Sequence, residues 1–276
     1  MLRIDAHNHF WTFDPVRDSW IDDSMSVIAR DFLPSDLEPL LKAEGIDGCV
    51  AVQADQSEEE TRFLSVLAAN NPFIKGVVGW VDLRSETIER RLQYYQSIPV
   101  IKGFRHILQG EKQRDLMLTP EFKNGIGLLG KYGFTYDILI YPDQLGYAWT
   151  LCKEFPDQSF VIDHLAKPAI KSGDLGNWKK EMERFADLEN VYCKVSGMIT
   201  EADWKQWTAA DFRPALDTVT STFGTDRLLF GSDWPVCLVA GSYSQVVTLT
   251  ADYFSSFSSE EKAAIFGGNA QKFYRL

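Results

Sequence analysis

The sequence predicts a single-domain α/β protein of the (β/α)8 TIM-barrel class, and three observations carry that expectation. Eight short apolar strand patterns alternate with helical patterns along the whole chain, and strict β-then-α alternation implies a parallel sheet. No composition break or linker divides the 276 residues, a length that suits eight such units closed on themselves. An open doubly wound sheet would show a glycine-rich phosphate loop after its first strand. Here that strand ends in histidines.

Strand one is Leu2 to Phe10, a short apolar run ending in His7-Asn8-His9. Side chains alternate along a strand, so Asp5, His7 and His9 are expected on one face. Two imidazoles set that way can chelate a metal or together polarise a carbonyl oxygen. The long first βα loop, about residues 10–34, carries Trp11, Phe13, Asp14, Pro15 and Trp20. Its length and aromatic content read as a lid or pocket wall. Ser35 can cap a helix with an apolar stripe of Leu37, Leu40 and Leu41, which Gly45 is placed to end. Strand two runs Ile46 to Gln53. Ser57 followed by Glu60 is a capping-box pattern that opens a helix to about Asn70.

Strand three is Ile74 to Val81, followed by a helix through Glu86, Arg90 and Tyr94. Strand four is Val100 to His106, and a helix from Glu121 stops at Gly133. Strand five is Phe134 to Ile140, with a helix from Pro142 to Phe155 after it. Strand six, Phe160 to His164, precedes a helix over Trp178 to Ala186. Strand seven, Val191 to Ser196, leads to a helix around Ala215 to Phe223. Strand eight is Arg227 to Asp233, and two helices in about 242–276 complete the chain.

Composition narrows the function classes. A net charge of −11 argues against nucleic-acid or anionic-membrane partners, which need a basic surface. No window reaches the roughly 18 unbroken apolar residues of a membrane span. No signal peptide is visible at the N-terminus. Cys49, Cys152, Cys193 and Cys237 are far apart without a C-x-x-C pair, and a reducing cytoplasm is the expected location.

The polar residues fall where barrel chemistry is built, at the C-terminal ends of the strands. All four histidines lie there: His7 and His9 on strand one, His106 on strand four and His164 on strand six. Asp233 closes strand eight in Gly231-Ser232-Asp233-Trp234-Pro235. With Gly79-Trp80-Val81-Asp82-Leu83, Lys102-Gly103-Phe104-Arg105-His106 and Asp163-His164-Leu165-Ala166-Lys167-Pro168, this order resembles the amidohydrolase superfamily. More closely, it resembles the amidohydrolase-2 branch of sugar-lactone and pyrone-dicarboxylate lactonases. The resemblance extends to the ending Phe266-Gly267-Gly268-Asn269-Ala270 and covers essentially the whole chain.

The resemblance implies a lactonase, a hydrolase acting on a carboxylic ester bond, with a small-molecule lactone as partner. Asp233 is the expected base that activates water, and His7, His9 and His164 would donate to the lactone carbonyl or hold a metal against it. An acceptor such as Asp5 or Asp163 is expected behind the imidazoles. His106 and Arg105 are expected to read the substrate, with Lys102, Tyr141 and Trp20 as weaker candidates. Arg105 and His106 are strand neighbours and should face opposite ways, with His106 preferred. Metal-dependent members add a histidine on strand five, and this chain has none. A strictly required cofactor is therefore not expected, although His7, His9, His164 and Asp233 can still hold one divalent metal, zinc by ligand type.

Pyrone dicarboxylates need several arginines, and only one clear arginine lies at the strand ends. A neutral deoxy-aldonolactone of the fucose or rhamnose series is the favoured substrate. A lactone isomerase, a metal-dependent decarboxylase and a non-catalytic sugar-binding barrel are the rival readings. The chain can act alone or as a homo-oligomer.

Overall fold

The computed structural model describes residues 2–276. Its eight parallel strands form one sheet in chain order: β1 (Ile4–Asn8), β2 (Gly48–Val52), β3 (Ile74–Gly79), β4 (Ile101–His106), β5 (Thr135–Ile138), β6 (Phe160–Ile162), β7 (Val191–Val195) and β8 (Leu228–Phe230). The helices between them are α1 (Pro34–Ala43), α2 (Glu58–Asn70), α3 (Ile88–Gln96), α4 (Pro120–Tyr132), α5 (Leu145–Glu154), α6 (Gly176–Glu183) and α7 (Ala209–Phe223). Three more, α8 (Tyr243–Tyr253), α9 (Ser259–Ala263) and α10 (Asn269–Tyr274), follow the last strand. The sheet closes where the chain after β8 meets β1. The Asp233 N–H donates to the His7 carbonyl at 2.8 Å, and the His9 N–H donates to the Trp234 carbonyl at 2.7 Å. The seam of the barrel therefore brings the expected base beside the His-x-His pair.

Period-two alternation sorts each strand into an outer and an inner layer. Cys49, Ala51, Phe104, Ile138 and Cys193 pack outward against the helices. Ile4, Ala6, Val50, Val52, Val161 and Leu229 fill the interior, and Ala270, Phe273 and Tyr274 of α10 plug its lower end. All four cysteines are buried free thiols. No helix is long and apolar enough to cross a membrane among the described residues.

Asp5 departs from the sequence expectation. Ile4 and Ala6 belong to the inner layer, so Asp5 between them faces outward. There it accepts from the Tyr243 hydroxyl of α8 at 3.2 Å, the Ser232 N–H at 2.9 Å and the His7 N–H at 3.1 Å. The β1–β2 register slips between Asp5 and Asn8, and beyond Ala6 the His7 side chain points inward. Burial pushes the Asp5 carboxyl up to about 6.

Two helix starts also differ. Ser35 does not cap α1, because Pro34 already occupies the first turn and Asp36 accepts from the Leu33 N–H at 2.9 Å. Ser57 does cap α2, its Oγ accepting from the Glu60 N–H at 3.1 Å. The Glu60 carboxylate instead accepts from the Ala54 N–H at 3.2 Å.

Glu60 is buried, and burial pushes its carboxyl up to about 7. A carboxyl whose native pKa is raised contributes stability that is full below about pH 4 and lost as pH rises through its native value. Glu60→Gln is therefore expected to gain about 2 kcal/mol over the parent between pH 5 and pH 8. Urea unfolding at the two pH values reads this directly. An equal difference at both would contradict it.

Candidate active site

The four expected groups meet at the C-terminal mouth of the barrel. Asp233 Oδ1 lies 3.4 Å from His9 Nε2, 3.8 Å from His164 Nε2 and 3.9 Å from His7 Nε2. The Nε2 atoms of His7 and His9 are 3.2 Å apart. All four side chains are buried. A cavity of about 310 Å³ opens above them, walled in part by Trp11, Trp20, Arg105, Leu139 and Lys167. That is the small end of the roughly 300–1,000 Å³ range of small-molecule sites.

Backbone geometry aims these groups. After β6, His164 to Lys167 hold φ between 51° and 54°, a left-handed turn of four non-glycine residues. Each such residue costs roughly 1–2 kcal/mol. The turn puts both His164 and Lys167 on the cavity wall, and the Trp178 indole N–H donates to the Leu165 carbonyl within it at 2.7 Å. Asp233 itself has φ 58°, ahead of a cis Trp234–Pro235 bond. Gly197, at φ 61°, backs the His164 ring; a Cβ there would lie 2.5 Å from His164 Nδ1. The first loop is pinned at its neck by paired backbone bonds between Trp11 and Phe32, at 3.0 and 2.9 Å.

Each imidazole is fixed from behind by a different partner. His9 Nδ1 faces the Val52 carbonyl at 2.8 Å, and His164 Nδ1 faces Ser196 Oγ at 2.9 Å. His7 Nδ1 lies 3.1 Å from Lys194 Nζ and 3.4 Å from Asp163 Oδ1. Below them runs a charged layer closed to solvent. Lys194 contacts Asp137 Oδ2 at 2.5 Å and Asp163 Oδ1 at 3.0 Å, Arg105 donates to Asp163 Oδ2 at 3.0 Å, and the Tyr274 hydroxyl donates to Asp137 Oδ2 at 2.8 Å.

The electrostatics lower the carboxyl of Asp233 and two of the imidazoles relative to their usual ranges. Burial opposes ionisation of Asp233, but His164, His9 and Lys167 outweigh it and hold the carboxyl below the usual range. Burial lowers His7 and His164 well below the usual histidine range, and the Lys194 ammonium adds to this at His7. Lys167 stays charged: burial opposes it, but Glu201, 2.9 Å away, and Asp233 together raise its pKa.

The other expected residues divide. Arg105 faces the cavity, its Nη1 donating to Asp163 Oδ2 and lying 3.3 Å from His7 Nε2, its Nη2 donating to the Gln53 carbonyl, and its Nε buried and unpartnered. His106 faces the opposite way, its Nε2 2.7 Å from Glu111 and its Nδ1 accepting from the Trp80 indole at 3.4 Å. The preference for His106 is thus reversed, since Phe104 on the same face packs outward into the helix layer. Lys102 lies at the lower end of β4, where its ammonium donates to the Arg275 carbonyl at 2.9 Å. It does not reach the mouth. Trp20 lines the cavity; Tyr141 is exposed beside Lys167 and does not. Asp163 stands behind His7 as expected, but Asp5 touches no imidazole.

Sequence reading missed Lys167 and Lys194. Lys167 sits inside a segment already singled out, three residues after His164. Lys194 is the only charged residue in β7, which was a visible signal: a lysine at the centre of a buried strand needs partners.

The barrel and its mouth of three histidines and an aspartate define a hydrolase-type site, and the chain belongs to the amidohydrolase family, whose profile matches residues 4–276. It is 38% identical to an L-fucono-1,5-lactonase of Burkholderia multivorans, over all of this chain and 96% of that one. It is 25% identical to an L-rhamnono-gamma-lactonase of Scheffersomyces stipitis, over 64% of this chain and 60% of that one. Among solved structures, an amidohydrolase from Burkholderia multivorans with bound zinc superposes with a TM-score of 0.96 at 38% identity, covering 100% of both chains.

The residues here suit such an ion by type and spacing. His7, His164 and Asp233 each offer a ligand atom, all within 4.8 Å of one another. His9 Nε2 adds a fourth donor beside them. Imidazole and carboxylate are ordinary zinc ligands.

Proposed function

We propose that this protein hydrolyses a small neutral sugar lactone, with the 1,5-lactone of a 6-deoxyaldonic acid such as L-fuconic acid as the leading candidate. The observation that carries the reading is a buried Asp233 facing three imidazoles beneath a small cavity. The full-length similarity to an L-fucono-1,5-lactonase supports the substrate class.

In this reading Asp233 takes a proton from a water held between it and the lactone. The water oxygen bonds to the carbonyl carbon, and the carbonyl oxygen becomes an oxyanion facing the imidazole cluster. Collapse breaks the bond to the ring oxygen, which receives the proton that Asp233 holds. The product is the open hydroxy acid. When bound, zinc would be held by His7, His164 and Asp233 and would polarise the carbonyl as a Lewis acid. Turnover itself is proposed not to require it, because Asp233 and imidazole N–H groups supply the base and the donors.

Charge balance favours a neutral substrate. Arg105 is spent on Asp163, and Lys167 on Glu201, so neither cation is left over for a second carboxylate. The Trp20 ring on the cavity wall remains to meet the sugar face.

A panel of 1,4- and 1,5-aldonolactones, followed by a pH indicator and by NMR of the product, tests this. Acid release with the open-chain acid as product is expected. A rearranged lactone without acid release would indicate an isomerase, and no reaction with any member would overturn the reading.

A further inference from the structure

We propose that Gln109 is a specificity-determining residue whose side-chain amide reads one hydroxyl of the lactone ring, an inference that rests on the lactonase reading above. Gln109 lies on the cavity wall, in the one-turn 3-10 helix Leu108–Gly110 that follows β4. Its side chain forms no hydrogen bond with any of the described residues, and its Oε1 is buried without a partner. A polar side chain left open on the wall of a small cavity is a group in want of a ligand.

The backbone around that amide is, by contrast, firmly held. The Gln109 N–H donates to the Leu139 carbonyl at 3.0 Å, and the Gln109 carbonyl accepts from Arg114 Nη1 at 2.9 Å. Arg114 also donates to the Glu111 carbonyl at 3.0 Å and pairs with Asp143. Gln56 Oε1 accepts from the Ile107 N–H at 2.8 Å, and Gln144 Nε2 donates to the Leu108 carbonyl at 2.9 Å. His106 faces away from the cavity, but its Nε2 lies 2.7 Å from Glu111 and so anchors the same loop. A group that must meet a ligand within about 0.5 Å needs such a frame.

The neighbouring wall groups are already committed. The Trp11 indole N–H donates to the Arg30 carbonyl at 2.8 Å, Arg105 is held by Asp163 and Gln53, and Lys167 pairs with Glu201. Ile107, Leu139 and Val236 are apolar. In a site of this kind, orientation comes from the few polar groups set in an apolar wall.

The chemistry of the amide selects what it meets. The lactone carbonyl faces the imidazoles in the proposed reaction, so the wall meets the ring substituents. A hydroxyl both donates and accepts, and an amide can answer either way. Its two ends are nearly the same size, and half a turn about the last side-chain bond exchanges them. A neutral amide offers no countercharge to a carboxylate, which agrees with a neutral substrate.

The test compares the full-length parent with Gln109→Met on L-fucono-1,5-lactone and on its 2-, 3- and 4-deoxy analogues. Methionine keeps the length of the side chain and removes both amide groups. Gln109→Leu is the second variant, should Gln109→Met fail to fold. With the parent, removal of one of the three hydroxyls should lower kcat/KM about 10–100-fold, the scale of one lost hydrogen bond in a closed site. With Gln109→Met the full lactone should lose a similar factor, and removal of that same hydroxyl should then cost less than about twofold. A residue that only shapes the loop would slow all four substrates by one factor, and that result would overturn the proposal. So would a variant as active as the parent. A parent that hydrolyses no sugar lactone overturns the lactonase reading and this inference with it. An active parent whose hydroxyl penalties persist unchanged in Gln109→Met overturns this inference alone.

Discussion

Asp233→Asn is expected to lower kcat/KM for the best lactone by about 10³-fold, within the range set by loss of a positioned base. The substitution is chosen for its backbone as well as its chemistry. Residue 233 has φ 58°, a conformation that asparagine tolerates better than most residues. The amide keeps the size of the carboxylate and cannot take a proton from water. Lactone affinity, read by calorimetry, should change by less than about threefold, because the loss lies in the transition state. A variant that retains a tenth or more of parental activity would remove Asp233 from the base role. The low carboxyl pKa of Asp233 adds a sign. The group is held below the usual aspartate range, so the acid limb of kcat/KM should lie below that range as well.

The second large effect comes from a residue that touches no substrate. Gly197→Ala should lower activity about 100-fold and stability by roughly 2 kcal/mol. The new methyl would sit 2.5 Å from His164 Nδ1, on the side where Ser196 holds the ring, and φ 61° disfavours any side chain. The ring must leave the position in which its Nε2 faces Asp233. Gly173→Ala separates the two causes. It has a similar φ of 71° with nothing within 4 Å of its Cβ position, so it should cost about 1 kcal/mol and leave activity intact. Equal activity losses in the two variants, after matching for folded fraction, would show that backbone strain and not the ring contact is responsible.

The fold was legible because buried parallel strands and amphipathic helices carry different periods, and the alternation never breaks. The site was legible to the extent that it follows strand ends: His7, His9, His164 and Asp233 needed only the rule that barrel chemistry sits there. Strand phase was harder. One slipped register in β1 places Asp5 and His7 on opposite sides of the sheet, and no residue in Ile4-Asp5-Ala6-His7 announces it. For Arg105 and His106 the clue was present, since Phe104 packs with the outer layer and carries His106 with it. Lys102 failed on position along the strand: four residues before the mouth, it sits at the bottom. Asp163 was legible as an acceptor behind the imidazoles, but its union with Lys194 of β7 and Asp137 of β5 in one charged layer was not, because the three come together only when the barrel closes.

One measurement tests the central claim most directly. L-fucono-1,5-lactone is incubated in 18O-enriched water with enzyme stripped by exhaustive chelation, and the product is read by mass spectrometry within the lifetime of the uncatalysed lactone. Water activated by Asp233 and delivered to the carbonyl carbon places one 18O in the carboxylate per turnover, at the rate of the untreated enzyme and above the rate with Asp233→Asn. Label absent from the carboxylate, or incorporated no faster than in the mutant, would contradict it.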